Sequence, residues 1–125
     1  MPEASISTGV GANKTLIIED DPTVGRLIER MLQGQSTVAR VDSANEAVRL
    51  LATERFDVVV CDLQIPGMSG TALLSYARER LPEARRVLMT AGIPPDAAKV
   101  LCHAVLTKPF TRGALLEAAG MSSEG

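Results

Sequence analysis

Phe56-Asp57-Val58-Val59-Val60-Cys61-Asp62 is an apolar run closed by a carboxylate, and Leu63-Gln64-Ile65-Pro66-Gly67-Met68-Ser69-Gly70 follows it as a turn-rich loop. A short, β-branched, almost continuously apolar run reads as a strand buried on both faces, here over 57–61. In an open parallel α/β sheet, ligands gather outside the carboxyl ends of the strands. Asp62 therefore stands where chemistry is expected. Three more runs end in the same manner. Thr15-Leu16-Ile17-Ile18 leads to Glu19 and Asp20, Val87-Leu88-Met89 to Thr90, and Ala104-Val105-Leu106-Thr107 to Lys108. Acids, a hydroxyl and an ammonium are thus delivered to one sheet edge. That set outlines a site for a phosphoryl group and a divalent metal.

Strand-like and helix-like stretches alternate about five times, which predicts a parallel sheet covered on both faces. Strands are expected near 15–19, 37–41, 57–61, 86–90 and 104–107. The second is mixed in polarity and suits an edge; the third suits the centre. Pro22 opens a helix whose apolar face is Val24, Leu27, Ile28, Met31 and Leu32. Ser43 with Glu46 forms a capping-box pattern before Ala44, Ala47, Val48, Leu50 and Leu51. A third helix is expected from Ser69 to Arg80, with Leu73, Leu74 and Ala77 inward. Pro94-Pro95-Asp96 opens a fourth of only about two turns, reaching to about Cys102. Thr111 caps a last helix carrying Ala114, Leu115, Leu116 and Ala118. Residues 1–13 and 121–125 read as loose ends, which leaves a single domain over 14–120.

The chain has 125 residues, enough for one core, and is 46% hydrophobic but only 2% aromatic. The core must be aliphatic. A net charge of −2 offers no long-range attraction to nucleic acid or to an anionic membrane. Arg78, Arg80, Arg85 and Arg86 read as a solvated helix end. Cys61 and Cys102 match no metal or redox spacing and read as small apolar residues in a reducing compartment. His103 reads as a partly exposed structural residue rather than a ligand. No apolar stretch approaches the roughly 20 residues that span a bilayer. The first residues carry Glu3 and no early Lys or Arg, unlike a signal peptide. Cytoplasm is the expected location.

The chain resembles the receiver domains of two-component response regulators, the CheY-like family, across nearly all of 14–119. The resemblance rests on Leu16-Ile17-Ile18-Glu19-Asp20-Asp21-Pro22, Ser43-Ala44-Asn45-Glu46-Ala47, Asp62-Leu63-Gln64-Ile65-Pro66-Gly67-Met68-Ser69-Gly70, Met89-Thr90-Ala91-Gly92 and Lys108-Pro109-Phe110, in that order. It implies a flavodoxin-like fold, with five parallel strands in the order 2-1-3-4-5 and five flanking helices, the fourth of them shortened. It implies that Asp62 accepts a phosphoryl group from a phosphohistidine on a sensor histidine kinase or phosphotransfer protein. Asp20 and Asp62 would hold Mg2+, Glu19 would act largely through metal-bound water, and the backbone carbonyl of Gln64 would also reach the metal. Thr90 and Lys108 would bond phosphoryl oxygens, and the Lys108–Pro109 bond would be cis. The chain would be a switch for an unidentified downstream target, not a free-standing enzyme, since its substrate would be its own Asp62. No direct contact with nucleic acid or membrane is expected. A homodimer is left open.

Two departures from the family pattern bear on output. Where the family usually carries an aromatic switch residue, three positions before the lysine, this chain has Val105. The stretch from Thr90 to Lys108 is also shorter than usual by about one helical turn of ~3.6 residues. The aromatic-coupled output is therefore expected to be absent or rerouted, and the fourth helix mobile. Two other functions compete. One is a phosphorylation-independent interaction module on the same fold. The other is an aspartyl-nucleophile phosphohydrolase of haloacid-dehalogenase type, which would want a second acid where Gln64 stands and a substrate-gating cap for which the chain has no room.

Overall fold

The computed structural model describes residues 13–121. The expected loose ends at 1–12 and 122–125 lie outside it. The elements run β1 (Asn13–Ile18), α1 (Pro22–Met31), β2 (Ser36–Val41), α2 (Ala44–Thr53), β3 (Val58–Asp62), β4 (Gln64–Ile65), β5 (Met68–Ser69), α3 (Gly70–Arg80), β6 (Arg85–Thr90), α4 (Asp96–Lys99), β7 (Ala104–Thr107) and α5 (Arg112–Ala118). Five parallel strands form the main sheet in the order β2-β1-β3-β6-β7. Counted within that sheet, this is the expected 2-1-3-4-5 order, with β3 central and β2 at an edge.

Successive strand residues face opposite sides of a sheet, so the inner strands β1, β3 and β6 each feed two aliphatic layers. Leu16, Ile18, Val59, Cys61 and Leu88 join Leu51, Leu73 and Leu74 on one face. Ile17, Val60, Val87 and Met89 join Ile28, Leu32, Leu115 and Leu116 on the other. This division explains why β3 has no polar face: both sides are covered.

Helix starts follow from short polar side chains that accept otherwise orphaned backbone N–H groups. Asp21 accepts from Thr23 N at 2.9 Å, Ser43 from Glu46 N at 3.3 Å, Ser69 from Ala72 N at 3.1 Å and Thr111 from Ala114 N at 3.1 Å. At Ser43 only half of the capping box forms. Glu46 pairs instead with Arg49, at 2.7 Å.

Four local features depart from the sequence reading. Asn13 opens β1, and Met121 is buried and donates its N–H to Leu116 O at 2.7 Å, so neither belongs to a loose end. The loop after Asp62 contains an antiparallel pair, β4 with β5, turning through Pro66 and Gly67, whose φ of 96° favours glycine. Two-residue strands are too short to show a period. Only half of the arginine cluster is a solvated helix end: Arg78 and Arg80 are exposed in the last turn of α3, but Arg85 and Arg86 belong to β6. Arg86 is 7% exposed and donates to Leu101 O at 2.7 Å and Ala84 O at 3.1 Å, while Arg85 donates to Ala118 O at 2.6 Å. These side chains satisfy carbonyls where connections end, a need that composition does not reveal. Finally, α4 stops at Lys99, short of Cys102, because the chain must already turn toward β7.

Four residues give α4 a single turn, and Pro95 before it makes no side-chain cap. Isolated short helices are marginal and lean on packing, and here only Ala98 is buried. Amide exchange across 96–101 is accordingly expected to be on the order of 100-fold faster than in β1 and β3, as befits a low-stability unit. Strong, phosphorylation-sensitive protection across 95–106 in a hydrogen-exchange experiment would contradict this.

Candidate phosphoryl-transfer and metal site

Glu19 and Asp20 follow β1, Asp62 ends β3, Thr90 ends β6 and Lys108 follows β7. Parallel register places those four strand ends together, and all five side chains line one cleft with Gln64. The backbone beneath them continues the ladders. Glu19 N donates to Val41 O at 3.1 Å, Leu63 N to Met89 O at 2.9 Å and Lys108 N to Thr90 O at 2.9 Å. The Lys108–Pro109 bond is cis.

The Lys108 ammonium donates to Asp62 Oδ2 at 2.5 Å and to Glu19 Oε1 at 2.9 Å. Each acid is fixed by a second donor. Gln64 N donates to Asp62 Oδ1 at 3.0 Å, and Asp21 N to Glu19 Oε2 at 3.1 Å. Thr90, also buried, accepts from Gly92 N at 3.2 Å through its hydroxyl oxygen, which leaves the hydroxyl proton available to another acceptor.

Burial and charge oppose each other here. Burial pushes the Glu19 carboxyl above its ordinary range, and the nearby Asp62 adds to this against the Lys108 and Asp21 donors. Burial would raise Asp62 as well. The Lys108 bond, the Gln64 N–H and the bond with Glu19 outweigh it and hold Asp62 below the usual carboxylate range. Burial alone would lower Lys108, but its two carboxylate partners raise it. The outcome is an ionised Asp62 held by a firmly charged lysine. Cys61, one residue away, is fully buried, and its thiol is pushed far above its ordinary value by burial and then by Asp62 and Glu19. Neither cysteine forms a disulfide.

Ligand oxygens of Glu19, Asp20 and Asp62 lie within 4.8 Å of one another. An all-oxygen set of that size fits a hard divalent cation. For Gln64 the contact seen is its N–H to Asp62.

Sequence reasoning missed Gly70 as a site residue. A Cβ there would meet Asp62 O at 2.3 Å, Leu63 Cα at 2.7 Å and Leu63 O at 2.8 Å. Its position at the mouth of α3, shortly after a functional carboxylate, was the available signal. Also missed was the apolar rim of the cleft, where Met68 is partly exposed and Ile93 almost fully so.

A family model described as the response regulator receiver domain matches residues 15–120. The chain belongs to this family. It is 38% identical over 111 residues to the response regulator protein FleR of Pseudomonas aeruginosa, a match covering 85% of this chain and 24% of FleR. It is 34% identical over 112 residues to the chemotaxis protein CheY of the same organism, covering 83% of this chain and 90% of CheY. The chain thus spans about a quarter of FleR's length. A response regulator from Burkholderia pseudomallei, crystallised with a phosphorylated aspartic acid, a calcium ion and citrate, shares the fold. Its TM-score is 0.79 at 23% identity, over 86% of this chain and 66% of that chain.

Receiver domains are phosphoryl-accepting signalling domains of two-component systems rather than classical enzymes. They bind a divalent metal at an acidic pocket and interact with histidine kinases and output domains. Among the described residues, no helix of this receiver domain is long and apolar enough to cross a membrane.

Proposed function

We propose that this receiver domain, over residues 14–120, takes a phosphoryl group onto Asp62 from a phosphohistidine of a sensor histidine kinase or phosphotransfer protein, with Mg2+ as its metal. The observation that carries this reading is the ammonium of Lys108 bonded to both Asp62 and Glu19, beside an acid cluster of metal-binding size. Asp20 and Asp62 would ligate Mg2+, with Glu19 acting through bound water and the Gln64 carbonyl completing the protein's share. Mg2+ usually keeps several waters, so two or three protein oxygens suffice. Bound there, the cation would neutralise charge and orient phosphoryl oxygens for in-line transfer.

The remaining chemistry belongs to the side chains. A carboxylate oxygen of Asp62 attacks phosphorus, the P–N bond of the phosphohistidine breaks, and its electron pair returns to the donor imidazole. An acyl phosphate results. Lys108, already beside Asp62, gains a phosphoryl oxygen as partner. Thr90 turns its hydroxyl proton to another. Each charge-assisted bond is worth roughly 1.5–3 kcal/mol, enough for the 1–3 kcal/mol typical of allosteric coupling. Water later attacks the same phosphorus, the P–O bond to Asp62 breaks, and inorganic phosphate leaves with the carboxylate restored. The domain works in the cytoplasm on an unidentified downstream target, without direct contact to nucleic acid, and a homodimer is compatible with its exposed α4 surface.

Incubation with Mg2+ and acetyl phosphate, followed by intact-mass measurement, tests the reading. One labile phosphoryl adduct per chain is expected. Sustained phosphate release from many esters would favour the phosphohydrolase instead. A phosphorylation-independent module is favoured by one observation: Val105 stands 37% exposed on β7 with no ring to reposition. Absence of any adduct would select it.

Val24, Leu27, Ile28, Met31, Pro109 and Phe110 line an apolar groove that reaches Lys108, with Leu27 47% exposed. We assign this groove to the helix that carries the donor histidine. Leu27→Asp is expected to slow transfer from the phosphohistidine donor about tenfold or more, as expected for loss of an apolar anchor. Uptake from acetyl phosphate should not change. Equal slowing from both donors, read by phosphoprotein gel, would place the groove outside docking.

A further inference from the structure

We propose that His103 is an acid-sensitive latch that closes the start of β7 onto β6 only while its imidazole is neutral. The starting observation is a gap in a ladder. In a parallel pair, the N–H and C=O of one residue bond residues two apart on the neighbouring strand. Arg86 O follows that rule and accepts from His103 N at 2.7 Å. By the same rule, Arg86 N should find Leu101 O. That carbonyl instead accepts from the buried guanidinium of Arg86, at 2.7 Å. The orphaned N–H goes to His103 Nδ1 at 2.9 Å. A side-chain nitrogen thus replaces a main-chain carbonyl where the shortened connection from α4 enters the sheet.

Nδ1 can accept only when it carries no proton. Protonation would remove the acceptor of an interior strand N–H and set a second cation against Arg86. Arg86 has no carboxylate partner among the described residues, where its guanidinium donates to the Leu101 and Ala84 carbonyls. The charged and titratable groups around the ring are Arg86 and Arg85 from β6, Arg78 of α3 acting through Arg86, and Cys102 on the same connection. No acid stands among them to stabilise an imidazolium. Burial, then Arg86 and Arg85, accordingly push His103 below its ordinary value of 6.5. The sign follows. A depressed value favours the neutral ring in the folded chain, so the latch is whole above about 6.5 and is lost as pH falls through the folded value. Its release frees Leu101, Cys102 and the single turn of α4, and the latch itself sits at the amino end of β7, whereas the acid cleft lies at the carboxyl ends of the strands.

This chain has one histidine, so its ring reports unambiguously. In the labelled full chain, nitrogen shifts should show the Nε2–H tautomer at neutral pH and a titration midpoint below 6.5. The Arg86 amide and signals of 101–104 should move with the same midpoint. An Nδ1–H tautomer, or a titration that leaves the Arg86 amide unmoved, overturns the proposal. In hydrogen exchange corrected for intrinsic rates, opening at Arg86 should rise by up to ~10-fold per pH unit through that window. His103→Asn, which carries an acceptor oxygen but no titrating proton, should show a flat ratio. A slope in the variant equal to that of the parent would assign the acid sensitivity elsewhere and overturn the latch.

Discussion

Asp62→Ala yields a folded chain that takes up no phosphoryl group. After incubation with Mg2+ and acetyl phosphate, the adducted fraction is expected to fall by more than about 10³-fold, as when a covalent nucleophile is deleted elsewhere. Folding should survive. Breaking a buried ion pair costs about 3–5 kcal/mol when it strands a charge, but Lys108 keeps Glu19 at 2.9 Å as its second partner. The substitution also removes one of three mutually repelling acids. The net cost in urea unfolding should stay near about 1 kcal/mol. A variant that still acquires one labile adduct would move the acceptor to another residue and end the assignment of Asp62.

Gly70→Ala should do the reverse, damaging stability first and chemistry through it. A Cβ at this position meets Asp62 O at 2.3 Å and two Leu63 backbone atoms below 3 Å. None is the tip of a flexible side chain, so the main chain itself must move. Retreat is blocked because Gly70 N donates to Leu63 O at 2.7 Å and Ser69 caps α3. Overpacking typically costs about 1–3 kcal/mol, and rigid backbone on every side places this case at the upper end. For a domain of this size the melting temperature should fall by roughly 10 °C or more. Phosphoryl uptake should slow by as much as ~100-fold even where the variant remains folded, since a displacement of about 1 Å at a reacting group has that effect. An unchanged melting temperature would show that α3 can shift freely away from Asp62.

Most of the architecture was legible from the chain because four of the five main strands announce themselves twice, by an apolar run and by the polar group that ends it. The caps were legible for a similar reason: Asp21, Ser43, Ser69 and Thr111 act on backbone within a few residues. What escaped was non-local. Nothing near Arg86 in sequence says that Leu101 will present a carbonyl to it, and nothing near His103 says that its ring will take the place of one. Gly70 escaped because its place at the mouth of α3 marks only a helix start, whereas its need for space beside Asp62 is defined by the folded loop. The convergence of Glu19, Asp20, Asp62, Thr90 and Lys108 could be inferred because parallel strands share an end; that one ammonium serves two of the acids could not. The Pro66-Gly67 stretch was recognised as a turn, but the pairing of β4 with β5 depends on Gln64 meeting Ser69, a register that turn residues alone leave unspecified.

The cleft draws its groups from four adjacent strands, and the last two connections before Lys108, through α3 and α4, pass over the same face of the sheet. Tension applied at that rim is therefore shared by levers of very unequal stiffness. Helices of ten and eleven residues flank the middle of the sheet, whereas four residues form the last lever before Lys108. The weakest lever yields first, so the message of an added charge is expected to leave the molecule as loosening near its far edge rather than as the reorientation of a ring.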